Sequence, residues 1–132
     1  MRYLILAFFL LGIATQVNAQ GKWIKLAPFP EPSEELLGAA ANGKMYVFCG
    51  LAPGWKPKAL VYEYDPGPDK WTKKKNIPTA VHHQAQAAYN GKIYIFGGCT
   101  RAISGEGGTT NVWEFDPVAD SYRAMAAMSV KR

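Results

Sequence analysis

The chain has 132 residues, a formal net charge of +5 and two cysteines, so it can hold at most one internal disulfide. Its basicity is modest, one of the positive charges is Arg2, and no base-stacking aromatics interleave with the lysines, which argues against nucleic acid as a partner.

In chain order, the first segment reads as an export signal. Arg2 precedes an apolar run from Tyr3 to Ala14, and Val17-Asn18-Ala19 places small side chains where a signal peptidase reads them. Residues 1–19 are therefore expected to be a cleaved signal peptide, with a secreted or periplasmic mature chain starting at Gln20. The apolar run is shorter than the roughly 20 residues of a membrane span, and no second one follows, so no membrane partner is expected after cleavage. Export permits a disulfide. However, Cys49 and Cys99 fall at nonequivalent positions of the repeat described next, which does not ensure the short Cα separation that a bridge requires.

From Trp23 onward the chain repeats itself. Between Trp23 and Gly50, 11 of 28 positions are identical 48 residues later, including Trp23/Trp71, Pro30/Pro78 and the run Asn42-Gly43-Lys44 against Asn90-Gly91-Lys92. Val61-Tyr62-Glu63-Tyr64-Asp65-Pro66 then returns as Val112-Trp113-Glu114-Phe115-Asp116-Pro117 at an offset of 51, because the segment between the blocks lengthens from Leu51–Leu60 to Cys99–Asn111. An insertion of variable length between constant blocks marks a surface loop.

Each unit reads as a meander of short strands. Small residues fill Leu37–Ala41 and Gln84–Tyr89; aromatic and β-branched residues fill Lys92–Phe96 and Asn111–Phe115; a last strand carries Trp71 in one unit and Tyr122 in the other. Asn42-Gly43 and Asn90-Gly91 suit two-residue hairpins, whose central residues both need positive φ.

On these residues, together with Gly97-Gly98, Asp65-Pro66, Asp116-Pro117 and the aromatics Tyr62 and Trp113, the chain resembles the kelch-repeat β-propellers, including the galactose oxidase type. The resemblance spans Gly21 to the end. It implies an all-β fold: an N-terminal clasp strand (residues 20–34), one four-stranded blade (35–81), and a second blade with the start of another repeat (82–132). Cys49 stands where the first glycine of the pair is usual, and Tyr122 where Trp is usual; both are packing positions. Since propellers close with about four to eight blades, this much chain makes an incomplete ring. It is expected either to be part of a longer propeller or to self-assemble to complete one.

Chemistry is sparse. His82 and His83 are adjacent, and on a regular strand their side chains would face opposite ways, so no metal is expected. The copper site of galactose oxidase-type relatives, with its cross-linked tyrosine and histidines, has no counterpart, and no cofactor is expected. The stretch from Ser104 to Thr110 is glycine-rich but lacks the Gly-Lys-Ser/Thr ending and following helix of a phosphate loop. No nucleophile elbow is present, and no catalytic residue can be named. The run Lys70, Lys73, Lys74, Lys75 reads as a solvated strand end that discourages edge pairing, with polyanion binding as the alternative.

Rigid sheets leave function to loops. The equivalent loops offer Trp55 in one unit and Arg101 and Glu106 in the other, a set suited to a sugar acid: stacking, a bidentate grip and a carboxylate for hydroxyls. The expected role is a binding module for a glycan or protein ligand. The resemblance also admits a carbohydrate enzyme, a sialic acid mutarotase or epimerase, incomplete in this chain.

Overall fold

The computed structural model of the protein describes residues 21–102 and 106–132. The expected signal peptide, with Gln20, and Ile103, Ser104 and Gly105 lie outside the described residues. Strands β1 (Leu37–Ala41), β2 (Lys44–Phe48), β5 (Val61–Asp65) and β6 (Lys70–Lys73) form one antiparallel sheet in the order β1-β2-β5-β6. Strands β7 (Ala85–Tyr89), β8 (Lys92–Phe96), β9 (Val112–Asp116) and β10 (Ser121–Ala124) form a second sheet in the same sequential order. These are the two expected blades, and no helix occurs among the described residues.

The turn chemistry explains the registers. Asn42 and Gly43 take φ values of 52° and 75°, and Asn90 and Gly91 take 48° and 73°, which is the backbone of a two-residue hairpin with the right twist for its strands. Ala41 therefore pairs with Lys44, and Tyr89 with Lys92. The Asn42 side-chain amide donates to Gly91 O at 3.3 Å, linking the two turns across the blades. A short ribbon, β3 (Leu51–Ala52) with β4 (Lys56–Pro57), stands within a segment that the sequence marks only as a loop. Such strands are too short to leave a periodic signal.

The blades pack face to back. Ile93, Ile95 and Phe115 of the second blade press on Tyr46, Phe48 and Val61 of the first, and all six are buried in one core. Phe115 lies edge-on to Tyr46 and Phe48, with ring centroids 6.0 and 5.6 Å away. On the repeat offsets, Ile93, Ile95 and Phe115 correspond to Met45, Val47 and Tyr64, which lie on the far face of the first blade. The two interacting surfaces are therefore different faces of one repeating unit, the head-to-tail arrangement that generates rings.

The expected clasp strand forms no ladder: among the described residues no strand precedes Leu37, and Trp23 is 99% exposed. A strand requires a neighbour to accept its hydrogen bonds, and no described strand edge lies beside Trp23. The segment instead docks side-on. Ala27 N donates to Asp69 Oδ1 (2.8 Å), Trp71 Nε1 donates to Ala27 O (3.0 Å), and Phe29 packs against Tyr62 and Trp71. One repeat later Lys75 N donates to Asp120 (3.0 Å) and the Tyr122 hydroxyl donates to Lys75 O (2.9 Å). Tyr122 thus serves the same bond as Trp71, which explains why the exchange is tolerated.

Candidate functional site

The two ends of the sheets are unequal. One carries the Asn-Gly hairpins and the tight turns after Asp65 and Asp116, against which Ala27 and Lys75 are bonded. The other gathers the β3–β4 ribbon, the loop between β8 and β9, and the approaches to the inner strands β1 and β7.

Those approaches are built alike. Glu34 bridges Leu51, and 48 residues later His82 bridges Cys99. Glu34 N donates to Leu51 O at 3.1 Å and Leu51 N returns at 2.8 Å; His82 N and Cys99 N do the same at 3.0 and 2.8 Å. The following residue is left-handed in both units, with φ of 55° at Glu35 and 53° at His83. Non-glycine residues pay conformational energy there, and such positions cluster at ligand clamps.

This backbone corrects the geometric premise read from the histidine pair. Alternation of facing holds for extended residues only, and the left-handed turn at His83 brings both imidazoles to one side. His82 Nδ1 lies 2.7 Å from His83 Nδ1, and Glu35 Oε2 lies 2.8 Å from the first and 3.1 Å from the second. Glu35 comes from the first blade and the histidines from the approach to the second, so the cluster sits at the seam. His82 is fully buried, and its Nε2 donates to the backbone carbonyl of Arg101 at 2.5 Å. That bond orients the ring. An acid–base group is thereby fixed beside a carboxylate and a second, more exposed imidazole.

Two of the loop candidates meet and one does not. Thr100 N and Oγ1 both donate to Gly107 O, at 3.1 and 3.0 Å, closing the base of the loop. Gly107, at φ 66°, is needed there, since a Cβ would stand 2.6 Å from Thr100 Oγ1. Within this closed loop the Arg101 guanidinium is 3.8 Å from Glu106 Oε2, both side chains exposed to solvent. Trp55 occupies the tip of the β3–β4 ribbon on the other blade, exposed and left-handed at φ 58°. Of the glycine-rich stretch, Gly108 bridges Cys99 as part of the loop framework.

Two of the four lysines of the run, Lys73 and Lys74, are engaged in ion pairs. Lys73 and Lys58 both pair with Glu31, at 3.1 and 2.7 Å, and Tyr62 donates to the same carboxylate at 2.6 Å. Lys58 first, then Tyr62 and Lys73, hold the Glu31 carboxyl at about 2, well below the usual carboxylate range. Lys74 lies 3.8 Å from Glu63. Lys58, Lys73 and Lys74 thus each face a carboxylate of the first blade or of the segment before it. Cys49 and Cys99 are separate, buried thiols, and burial pushes Cys49 up to about 12.

Sequence reading missed Glu35 and set the histidines aside. A signal was present: the repeat offset places Glu35 opposite His83, directly before the inner strand of each blade.

Residues 86–129 match the family model of the kelch motif. The fold is similar to the structure of YjhT, with a TM-score of 0.71 and 20% identity over 82% of this chain and 42% of that one. It is also similar to a novel fungal alcohol oxidase with catalytic diversity among the AA5 family, in complex with copper: TM-score 0.66 and 16% identity, over 76% of this chain and 23% of that one. The chain thus spans less than half the length of either protein. No curated protein matches it significantly in sequence.

Proposed function

On the premise that this chain carries the kelch motif and folds as propeller blades, we propose that it is a binding module whose ligand-facing surface is the loop-bearing end, and that its ligand is a glycan or a protein. One observation carries the reading: the long loops and the seam cluster all gather at that end, whereas the opposite end is closed by tight turns. Arg101 and Glu106 offer adjacent charges for a carboxylate and for hydroxyls, and Trp55 on the next blade offers an apolar face for a sugar ring. Export through residues 1–19 is part of the proposal; N-terminal sequencing of the mature protein should begin at Gln20. Self-association that completes a ring also belongs to it, and sedimentation of the mature chain tests that.

Calorimetric titration with sialic acid, a neutral aldose and a glycan panel tests the ligand class. Trp55→Ala and Arg101→Ala should each weaken binding by about 10-fold, the magnitude of one lost stacking or charged contact. Binding that survives both substitutions unchanged would place the ligand elsewhere. The second reading, a sugar mutarotase or epimerase, draws on the acid–base groups Glu35, His82 and His83 at the same end. NMR measurement of sialic acid mutarotation decides it: acceleration over buffer supports an enzyme, and the buffer rate removes it.

A further inference from the structure

We propose that Glu35, His82 and His83 form a three-ligand site for a divalent first-row transition metal ion at the seam between the blades. Glu35 Oε2, His82 Nδ1 and His83 Nδ1 stand at mutual distances of 2.7, 2.8 and 3.1 Å. The three atoms are close enough together to share one ion.

The carbonyl of Arg101 can only accept, so His82 Nε2 donates to it and the ring turns its Nδ1 toward Glu35 and His83. One cation at the centre would engage all three atoms at once.

The spacing also selects the coordination geometry. With metal–ligand bonds of about 2.0–2.1 Å, neighbouring ligands of an octahedral ion lie about 2.9 Å apart and those of a tetrahedral ion about 3.3–3.4 Å apart. The observed triangle matches one face of an octahedron. Two imidazoles with one carboxylate is a donor set for zinc, iron, cobalt or nickel rather than for calcium or magnesium, which prefer oxygen alone. Independent support comes from the outer contact: a metal-binding histidine ordinarily donates its other N–H to a carbonyl or carboxylate, as His82 does to Arg101 O. His82 is fully buried and held in place, whereas Glu35 and His83 keep 31% and 43% of their side-chain surface exposed. The remaining positions on the ion would open toward solvent at the loop-bearing end, where water or a ligand oxygen could bind. Because the ligands come from both approaches, the ion would also cross-link the blades.

The test uses the metal-free full chain, titrated with Zn²⁺ and with Co²⁺ as a spectroscopic probe. One ion should bind per chain, the weak visible bands of five- or six-coordinate Co²⁺ should appear, and Zn²⁺ should raise Tm. Glu35→Gln and His83→Asn should each lower affinity by at least roughly 100-fold, since even outer contacts of a metal site are worth about 10–100-fold. Asn accepts the left-handed backbone at position 83, and amide NMR spectra check that both variants remain folded. Less than one equivalent bound by the folded wild type overturns the proposal, as does unchanged affinity in the folded variants. Imidazole ¹⁵N spectra give a readout independent of affinity: Zn²⁺ should shift His82 Nδ1 while Nε2 stays protonated, and unshifted resonances at saturating Zn²⁺ also overturn it. No organic ligand enters these measurements, so their failure leaves the binding-module reading standing, and the reverse holds too.

Discussion

Ile93 and Met45 occupy the same position of the repeat, yet Ile93 is fully buried and Met45 is 41% exposed. Ile93 lies on the face of the second blade that docks against the first; Met45 lies on the corresponding face of the first blade, where no described sheet docks. Phe115 and Tyr64 are both buried, but by different neighbours. Phe115 packs on Tyr46 and Phe48 across the seam and on Tyr122 within its blade, whereas Tyr64 stacks on Trp71 of its own blade and donates its hydroxyl to Asp69 at 2.6 Å. A residue pattern therefore defines a surface fit for docking, and burial comes from whatever stands against it.

The sharpest way to probe this contrast is at the seam. Phe115→Ala should destabilise the fold by about 3–5 kcal/mol, the usual loss for a buried aromatic, measured as a shift in urea midpoint. A loss under about 1 kcal/mol would mean that the blades do not rely on each other. Next come the paired glycines, where the blades should behave alike. Gly50 and Gly98 have φ of 91° and 95°, and an added Cβ would meet Glu34 O at 2.5 Å or Val81 Cβ at 2.9 Å. Gly50→Ala and Gly98→Ala should each cost about 2–5 kcal/mol from left-handed strain plus overpacking. Strongly unequal losses would show that the repeat symmetry does not reach these turns.

On the undocked face a smaller effect is expected. Tyr64→Phe removes only the bond to Asp69 and should lower stability by about 1 kcal/mol, with no change in the seam. The smallest effect belongs to the charged cluster by which Glu31 ties the N-terminal segment to the first blade. Glu31 is held at about 2, below the ordinary 4.5, so its contribution is complete above pH 4.5 and is lost as pH falls toward 2. Urea midpoints at pH 6 and pH 3 should therefore fall further in the wild type than in Glu31→Gln. Parallel falls would mean that the cluster adds nothing to folding.

Much of the scaffold was legible because its signals are local. Asn-Gly pairs specify hairpins through their own backbone preferences, and the strands of the second blade lie within one residue of expectation at each end: β7 starts at Ala85 rather than Gln84, and β9 is Val112–Asp116 rather than Asn111–Phe115. The β3–β4 ribbon was hidden by its brevity. Arg101 and Glu106 were readable as loop residues, and the Thr100–Gly107 closure is what brings them together. The seam cluster escaped because the facing of His83 depends on a left-handed φ that its residue type does not announce.

By itself the amino-acid sequence determined the repeat, its strands, its turns and the end at which its loops gather, because these follow from side-chain period, turn residues and internal alignment. Only the tertiary structure decided which face of each blade is covered, and that Glu35 meets two imidazoles 47 and 48 residues away. Both outcomes depend on where the neighbouring blade stands, and no local preference encodes that.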